Sequence, residues 1–312
     1  MLKSLNLWSL ALLFVTLATF TSCEEEKTET PTEEQTIVQV ASNDPQFSTL
    51  VAALKRVNLV STLEGPGPFT VFAPTNAAFQ ALGVDLATIS DSELTKILLY
   101  HVLGASVQSG AIQEGQTYAS TASATGPGGS QLSVLIEKTG NSVKLNGTAN
   151  VTTANIVTKN GVIHVIDKVI LPLDIVGHAA ANSNFTSLVG ALGSAPGNLV
   201  NVLKGAGPFT VFAPLNSAFA AISGTVASLT PEQLAKVLTY HVVAGANVRS
   251  TALTNGQSVA TVNGASFSVN IAGGNVSLRD ASGKTSNVVL TDVQATNGVI
   301  HVLSSVIIPN NL

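Results

Sequence analysis

The chain has 312 residues, of which 45% are hydrophobic and only 10% charged, with 18 acidic and 14 basic side chains. This length is sufficient for two domains of typical size, each with a buried core. Six acidic residues lie within Glu24–Glu34, and residues 37–312 carry 12 acidic and 12 basic side chains. No cluster of Lys or Arg occurs, so the sequence excludes the concentrated positive field that nucleic-acid binding requires.

The single cysteine, Cys23, follows a segment that is typical of a signal peptide. This segment contains Lys3 and then a mostly apolar run, 5–20, that is shorter than the roughly 20 residues of a membrane span. The residues Phe20-Thr21-Ser22-Cys23 resemble a bacterial lipoprotein cleavage box. The resemblance implies that 1–22 are removed and that Cys23 is the lipid attachment residue. The alternative is a plain signal peptide with an incidental cysteine, and either way one cysteine allows no internal disulfide.

Residues 23–36 are predicted to form a solvated tether. The stretch from Glu24 to Glu34 is acidic, contains Pro31 and has no large apolar side chain, so it cannot bury enough surface to fold. An acidic stretch directly after the lipidated cysteine also resembles the surface-export signal of Bacteroidetes lipoproteins. We therefore expect secretion through the inner membrane, a lipid anchor in the outer membrane and exposure on the cell surface, with the periplasmic face as the alternative.

The folded part begins with signals for helices and one strand. Apolar residues within 47–54 have the spacing of one helix face, and the β-branched and aromatic run 69–74 predicts a strand. Thr75 offers an N-cap for the next helix. Ser90-Asp91-Ser92-Glu93 has the form of a capping box, and Thr230-Pro231-Glu232-Gln233 provides the same signal much later in the chain.

The pattern then changes to short β-rich runs separated by Gly and Asn turns. These runs predict strands at 133–136, 142–145, 154–157 and 161–170. Helices precede strands, which is typical of an α+β domain with a largely antiparallel sheet.

This whole order occurs twice in the chain. Three motifs recur at spacings of 137 to 140 residues: Gly67–Pro74 as Gly207–Pro214, Tyr100-His101-Val102 as Tyr240-His241-Val242, and Asn160–Val165 as Asn297–Val302. A spacing of this size is that of a domain, so the sequence indicates a tandem duplication. We define repeat 1 as 37–172 and repeat 2 as 173–312.

The repeated motifs resemble those of the fasciclin (FAS1) domain family. The run 69–79 is similar to the first family signature, 160–167 is similar to the second, and the Tyr-His pair lies between them. The resemblance covers about 37–312. It implies two tandem FAS1-like domains, each an α+β wedge built on a β-sandwich with helices packed on one side, and a role in cell adhesion or matrix contact.

The resemblance also implies candidate partner-binding residues. In animal members, the Tyr-His region and an Asp-Ile pair just after the second signature are implicated in integrin binding. The matching positions here are Tyr100, His101, Tyr240, His241, Asp174 and Ile175. Repeat 2 ends in Pro309-Asn310-Asn311-Leu312, without a further Asp-Ile pair.

His101 and His164 have two interpretations. They could form a metal site or an acid–base pair, or they could be hydrogen-bonded core residues that fix a helix on the sheet. Zinc needs three or four ligands, and no cysteine or repeated carboxylate supplies the others, which favours the core interpretation. The sequence also lacks a phosphate-binding loop and a nucleophile elbow. We therefore expect no cofactor, no metal and no catalytic residue.

Three classes of function stay open. The first is an adhesion protein that binds extracellular matrix, glycan or a neighbouring cell, with tandem copies providing avidity. The second is a structural lipoprotein of the envelope or periplasm without an external ligand. The third is an enzyme, which has the least support in the sequence. The sequence predicts no particular oligomeric state.

Overall fold

The structure is a computed structural model and describes residues 34–312. The predictions for the signal peptide, for the lipid on Cys23 and for most of the tether lie outside these residues. Between residues 34 and 312, none of the helices combines the length and the hydropathy needed to cross a membrane.

Helices occupy the first part of each repeat, as the sequence predicts. The Ser90 hydroxyl caps one helix by accepting from the Glu93 amide at 3.2 Å, whereas Thr230 and Gln233 form the complete reciprocal capping box. In repeat 1 the helices are α1 (Ile37–Asn43), α2 (Ser48–Arg56), α3 (Val60–Leu63), α4 (Asn76–Ala81) and α5 (Asp91–Tyr100). In repeat 2 they are α6 (Ile175–Ala181), α7 (Thr186–Ser194), α8 (Leu199–Leu203), α9 (Asn216–Ala221), α10 (Ser223–Ser228) and α11 (Pro231–Tyr240).

Each repeat contains one seven-stranded sheet. In repeat 1 the strands are β1 (Phe69–Pro74), β2 (Val102–Leu103), β3 (Gly115–Ser120), β4 (Ser133–Thr139), β5 (Ser142–Leu145), β6 (Ala149–Thr158) and β7 (Gly161–Ile166). In repeat 2 they are β8 (Phe209–Pro214), β9 (Val242–Ala244), β10 (Ser258–Ala260), β11 (Ser266–Ala272), β12 (Asn275–Arg279), β13 (Thr285–Ala295) and β14 (Gly298–Leu303).

The strand order is β2-β1-β7-β6-β5-β4-β3 in repeat 1, and the corresponding strands follow the same order in repeat 2. The first and last strands, β1 and β7, pair in parallel, whereas the other pairs are antiparallel. The Ala122 amide after β3 donates to the Val102 carbonyl of β2 at 2.7 Å, so the two ends of the sheet meet. The β-structure is therefore one sheet curled almost into a barrel, in which the two signature motifs lie side by side.

Each repeat has two apolar cores. In repeat 1, α1, α2 and the turn between them cover one side of the sheet with residues such as Phe47, Leu50 and Leu54, as their spacing predicts. The interior of the curled sheet forms the second core, which includes Phe72 and Tyr100. Burial of these side chains on both sides of β1 and β7 is the main source of stability.

The two repeats also touch through a set of polar side chains, which we call the inter-repeat contact. Repeat 1 contributes β3, the start of β4 and the turn before it, and repeat 2 contributes α6, the turn after it and the end of β13. The bonds include Asn182 Nδ2 to Tyr118 Oη at 3.0 Å, Asn184 Nδ2 to Gln116 Oε1 at 3.0 Å, and Gln294 N to Ser133 Oγ at 2.9 Å.

Candidate functional site

The tyrosines of the Tyr-His motif lie inside the curled sheets. Tyr100 and Tyr240 are completely buried. The Tyr100 hydroxyl donates to the Ser133 carbonyl at 2.8 Å and accepts from the Asn146 side chain at 3.0 Å, and Tyr240 donates to the Ser266 carbonyl at 2.9 Å. Burial raises the pKa of both tyrosines, so both stay protonated.

The histidines of the motif are buried as well. His101 Nδ1 lies 2.7 Å from the Ile97 carbonyl, and Nε2 accepts from the Ile170 amide at 3.1 Å. Because Nε2 is the acceptor, the proton belongs on Nδ1, which donates to the carbonyl. His241 makes the same two bonds, at 2.8 and 3.2 Å. Burial lowers the pKa of both histidines to about 4, so these rings are neutral and join the end of a helix to the segment after the last strand.

His164 packs within the sheet and bonds to the backbone rather than to His101. Its ring stacks on Phe72 with centroids 5.7 Å apart, Nε2 donates to the Val107 carbonyl at 2.9 Å, and Nδ1 accepts from the Asn155 amide at 3.3 Å. Burial lowers the pKa of His164. The backbone therefore uses both nitrogens of this ring, and in 34–312 no group of three or more His, Cys, Asp or Glu side chains is arranged to hold a metal ion.

Asn160 and Asn297 organise each repeat, although the sequence analysis predicts no separate role for them. Asn160 Oδ1 accepts from the Ile37 amide at 3.0 Å, and Nδ2 donates to the carbonyls of Leu63 and Gly65, both at 2.8 Å. Asn297 makes the corresponding three bonds in repeat 2. Each asparagine joins the first helix, the loop before the first signature and the second signature. One feature of the sequence could have identified these asparagines: the same polar residue occurs in both copies of an otherwise apolar motif.

Glycines in the repeated motifs Gly67–Pro74 and Asn160–Val165 allow the two backbones to approach closely. A Cβ on Gly161 would lie 2.0 Å from the Phe69 carbonyl oxygen, and one on Gly67 would lie 2.2 Å from the Asn160 carbonyl oxygen. Gly67 also has a φ of +64°, which side-chain-bearing residues rarely adopt. These contacts give a packing reason for the glycines in both motifs.

Asp174 and Ile175 begin repeat 2. Asp174 is the N-cap of α6, with Oδ1 accepting from the Gly177 amide at 2.6 Å, and Ile175 is a buried core residue. Their counterparts at the start of α1 are the N-cap residue Thr36 and the buried Ile37. Of the six predicted partner-binding residues, Asp174 is the only one that is not buried.

The outer surface carries one open groove at the same place in each repeat. In repeat 1 it lies between α2 and α5 and has a volume of about 460 Å³, and in repeat 2 it lies between α7 and the α9–α11 segment and has the same volume. Arg56 borders the first groove, where it donates to the Leu86 and Ile89 carbonyls and pairs with Asp91 at 2.7 Å. Ser194 occupies the corresponding position in repeat 2, so that groove is uncharged at this border.

The features above define a protein of two α+β domains whose shared motifs hold each domain together. The sequence model of the fasciclin domain matches residues 45–172 and 183–309, and the chain belongs to the fasciclin family. The membership confirms the family resemblance and the two tandem domains.

Several relatives share this similarity. Protein sll1483 of Synechocystis is 44% identical over 142 residues, which are 44% of this chain and 73% of that protein. Immunogenic protein MPB70 of Mycobacterium bovis is 38% identical over 144 residues, 44% of this chain and 68% of that protein. Transforming growth factor-beta-induced protein ig-h3 of Sus scrofa is 30% identical over 260 residues, 80% of this chain but only 36% of that protein.

A FAS1 domain pair from the insect cell adhesion molecule fasciclin I is a similar solved structure. The comparison covers 81% of this chain and 91% of that chain, with a TM-score of 0.49 and 18% sequence identity.

Proposed function

We propose that this protein is a cell-surface adhesion protein that binds extracellular matrix, glycan or a neighbouring cell through both fasciclin domains. Proteins with fasciclin domains are often associated with adhesion or the matrix, and the chain belongs to this family. The observation that carries the proposal is the open groove that recurs in both repeats. Two grooves of equal volume in one chain allow two weak contacts to combine through effective concentration.

The chemistry of the groove suits a neutral polar ligand. In repeat 2 its walls combine the hydroxyl groups of Ser187 and Ser194 with the apolar side chains of Ala191, Phe219 and Leu234. Surfaces of this kind, apolar with a few placed polar groups, bind sugars and peptides without strong charge. In this proposal Tyr100, His101, Tyr240 and His241 act indirectly, by holding the fold.

Tryptophan substitutions in the grooves test the proposal. Ala87 and Ala227 occupy corresponding exposed positions in the two grooves, so Ala87→Trp and Ala227→Trp should block them without disturbing the core. We expect each single variant to lower binding of the full chain on a glycan and matrix-protein array at least tenfold, and the double variant to abolish it. Val157→Trp, at a residue 67% exposed on β6, is the matched control. Wild-type binding by the double variant would contradict the proposal.

We also propose that a lipid on Cys23 anchors the chain to the outer membrane and that the domains face the outside. The alternative is a structural lipoprotein of the envelope that faces the periplasm and has no external ligand. Protease treatment of intact cells should cleave a surface-exposed chain and spare a periplasmic one. Cys23→Ala should release the protein from the membrane fraction, and retention of this variant there would contradict the lipid anchor.

A further inference from the structure

Repeat 2 contains an apolar cavity that opens to the surface beside α8. Its volume is about 120 Å³, and nine of its ten lining residues are apolar, among them Leu192, Leu203 and Leu238. The tenth is Thr239, whose hydroxyl donates to the Ala235 carbonyl of its own helix at 2.8 Å. The side chains of the cavity therefore present no free hydrogen-bond donor to a ligand or to water, and their one polar atom is the Thr239 hydroxyl oxygen.

The apolar surface continues both outward and inward from this cavity. At the opening, Val202 and Val262 are 53% and 49% exposed. Single exposed valines are common on protein surfaces, but these two line the same cavity. Behind it lies a second cavity of about 20 Å³, which shares Leu192, Leu203, Leu238 and Val242 with the first. The two cavities are therefore neighbours that share one apolar wall in the core of repeat 2.

Repeat 1 has different residues at the corresponding positions. Val202, Val262 and Thr239 of repeat 2 correspond to Thr62, Ala122 and Leu99 of repeat 1. Leu99 is larger than Thr239. The stretch from the end of α7 to β8 is also two residues longer than the stretch from the end of α2 to β1, as the change in spacing between the repeats from 138 to 140 shows. Repeat 1 adopts the same fold without these residues, so the fold does not require them. Cavities also reduce stability, so stability does not explain why repeat 2 has them.

We propose that this cavity binds one small apolar group, either an aromatic ring or an alkyl chain of about six carbons. Apolar cavities of about 150 Å³ stay dry and bind benzene or xenon, and this one is of comparable size. Because the lining carries no charge, the bound group is neutral. It is either a free molecule or the end of a longer chain that leaves through the opening between the two valines. This site is separate from the grooves and does not depend on the proposed adhesion.

Methyl NMR of the full chain, labelled at Leu and Val, tests the site with benzene and with 1-octanol as probes. We expect saturable shifts at the methyl groups of Val202, Leu203 and Val262, with a Kd on the order of 1 mM for benzene. Tighter binding of 1-octanol than of benzene would identify a chain that extends out of the cavity, and the reverse would identify a ring. The absence of saturable shifts with both probes would overturn the proposal, as would shifts confined to other methyl groups.

Thr239→Leu introduces the residue that repeat 1 already accommodates at this position, and it should weaken binding at least tenfold. The matched control is Leu99→Thr, the reverse exchange in repeat 1, which should leave binding unchanged. The backbone amide spectrum of each variant reports whether it keeps the native fold. Val262→Trp, at the half-exposed edge of the opening, provides a second block and should also weaken binding at least tenfold. Wild-type affinity in folded Thr239→Leu and Val262→Trp would overturn the assignment of the site.

Discussion

The Tyr118 ring of repeat 1 lies edge-on against the His178 ring of repeat 2, with ring centroids 5.6 Å apart. The Tyr118 hydroxyl accepts from Asn182, whereas neither ring nitrogen of His178 makes a hydrogen bond within residues 34–312. Burial lowers the pKa of His178 to about 4. The inter-repeat contact therefore contains a neutral ring whose protonation is unfavourable in the folded chain.

We expect this ring to make the fold sensitive to acid. The unfolded chain binds a proton at His178 with the ordinary pKa near 6.5, whereas the folded chain does so only near 4. Between these pH values the unfolded state binds more protons at His178 than the folded state does. The neutral His178 therefore contributes its full share of the free energy of unfolding above pH 6.5, and this contribution is lost as the pH falls toward 4. His178→Phe keeps a ring beside Tyr118 and removes the titration. Urea denaturation at pH 7 and pH 4.5 should show that the variant loses less stability than wild type, by on the order of 2 kcal/mol.

The comparison with wild type isolates this one histidine. Burial also lowers the pKa of His101 and His241 to about 4, but both residues are present in both proteins and their effects cancel. Equal losses of stability in wild type and His178→Phe over this pH range would show that His178 does not contribute.

Thr75 should contribute to stability as a helix cap. Its hydroxyl accepts from the Ala78 amide at 3.2 Å at the start of α4, whereas Leu215 at the start of α9 makes no such bond and packs against the core of repeat 2 instead. Thr75→Val keeps the shape and removes the acceptor, so we expect a loss of about 1 kcal/mol in the free energy of unfolding. Thr75→Ser keeps the acceptor and should lose less. Equal stability of Thr75→Val and wild type in urea denaturation would rule out the cap as a source of stability.

The sequence predicted the elements of each repeat better than the contact between the repeats. The caps at Ser90 and Thr230 and the helix face at 47–54 depend on local signals that appear in both copies. The strand at 154–157 is part of the longer β6, in which Asn155 has a φ of +63° and interrupts the regular alternation. The parallel pairing of β1 with β7 depends on contacts between distant parts of the chain, which local patterns do not encode.

The inter-repeat contact could not be predicted for a more specific reason. Its residues are those in which the copies differ: His178 corresponds to Val40, Asn182 to Asp44, and the buried Gln294 to the exposed Val157. Repeated motifs consist of identical residues, so positions at which the copies differ carry no such signal. The same reason explains why the cavity of repeat 2 was not predicted from the motifs.

Asn160 should be among the most sensitive positions of repeat 1. In Asn160→Ala, the buried Ile37 amide loses its hydrogen-bond acceptor, and the carbonyls of Leu63 and Gly65 lose the side-chain amide that donates to them. We expect a loss of about 3 kcal/mol in the free energy of unfolding. Asn43→Ala, at an exposed asparagine of α1, should change stability by no more than about 0.5 kcal/mol. Similar small effects for both substitutions in urea denaturation would contradict the joining role of Asn160.

Tyr100 distinguishes a structural from a direct binding role of the Tyr-His motif. Tyr100→Phe leaves the Ser133 carbonyl and the Asn146 side chain without the hydroxyl, which should lower the free energy of unfolding by about 1–3 kcal/mol. Because the hydroxyl does not reach the surface, the variant should keep wild-type binding to any array ligand at a temperature at which it is fully folded. Circular dichroism confirms the folded state before binding is measured. Loss of binding by a folded Tyr100→Phe protein would indicate that partners contact the motif after a local opening of the domain.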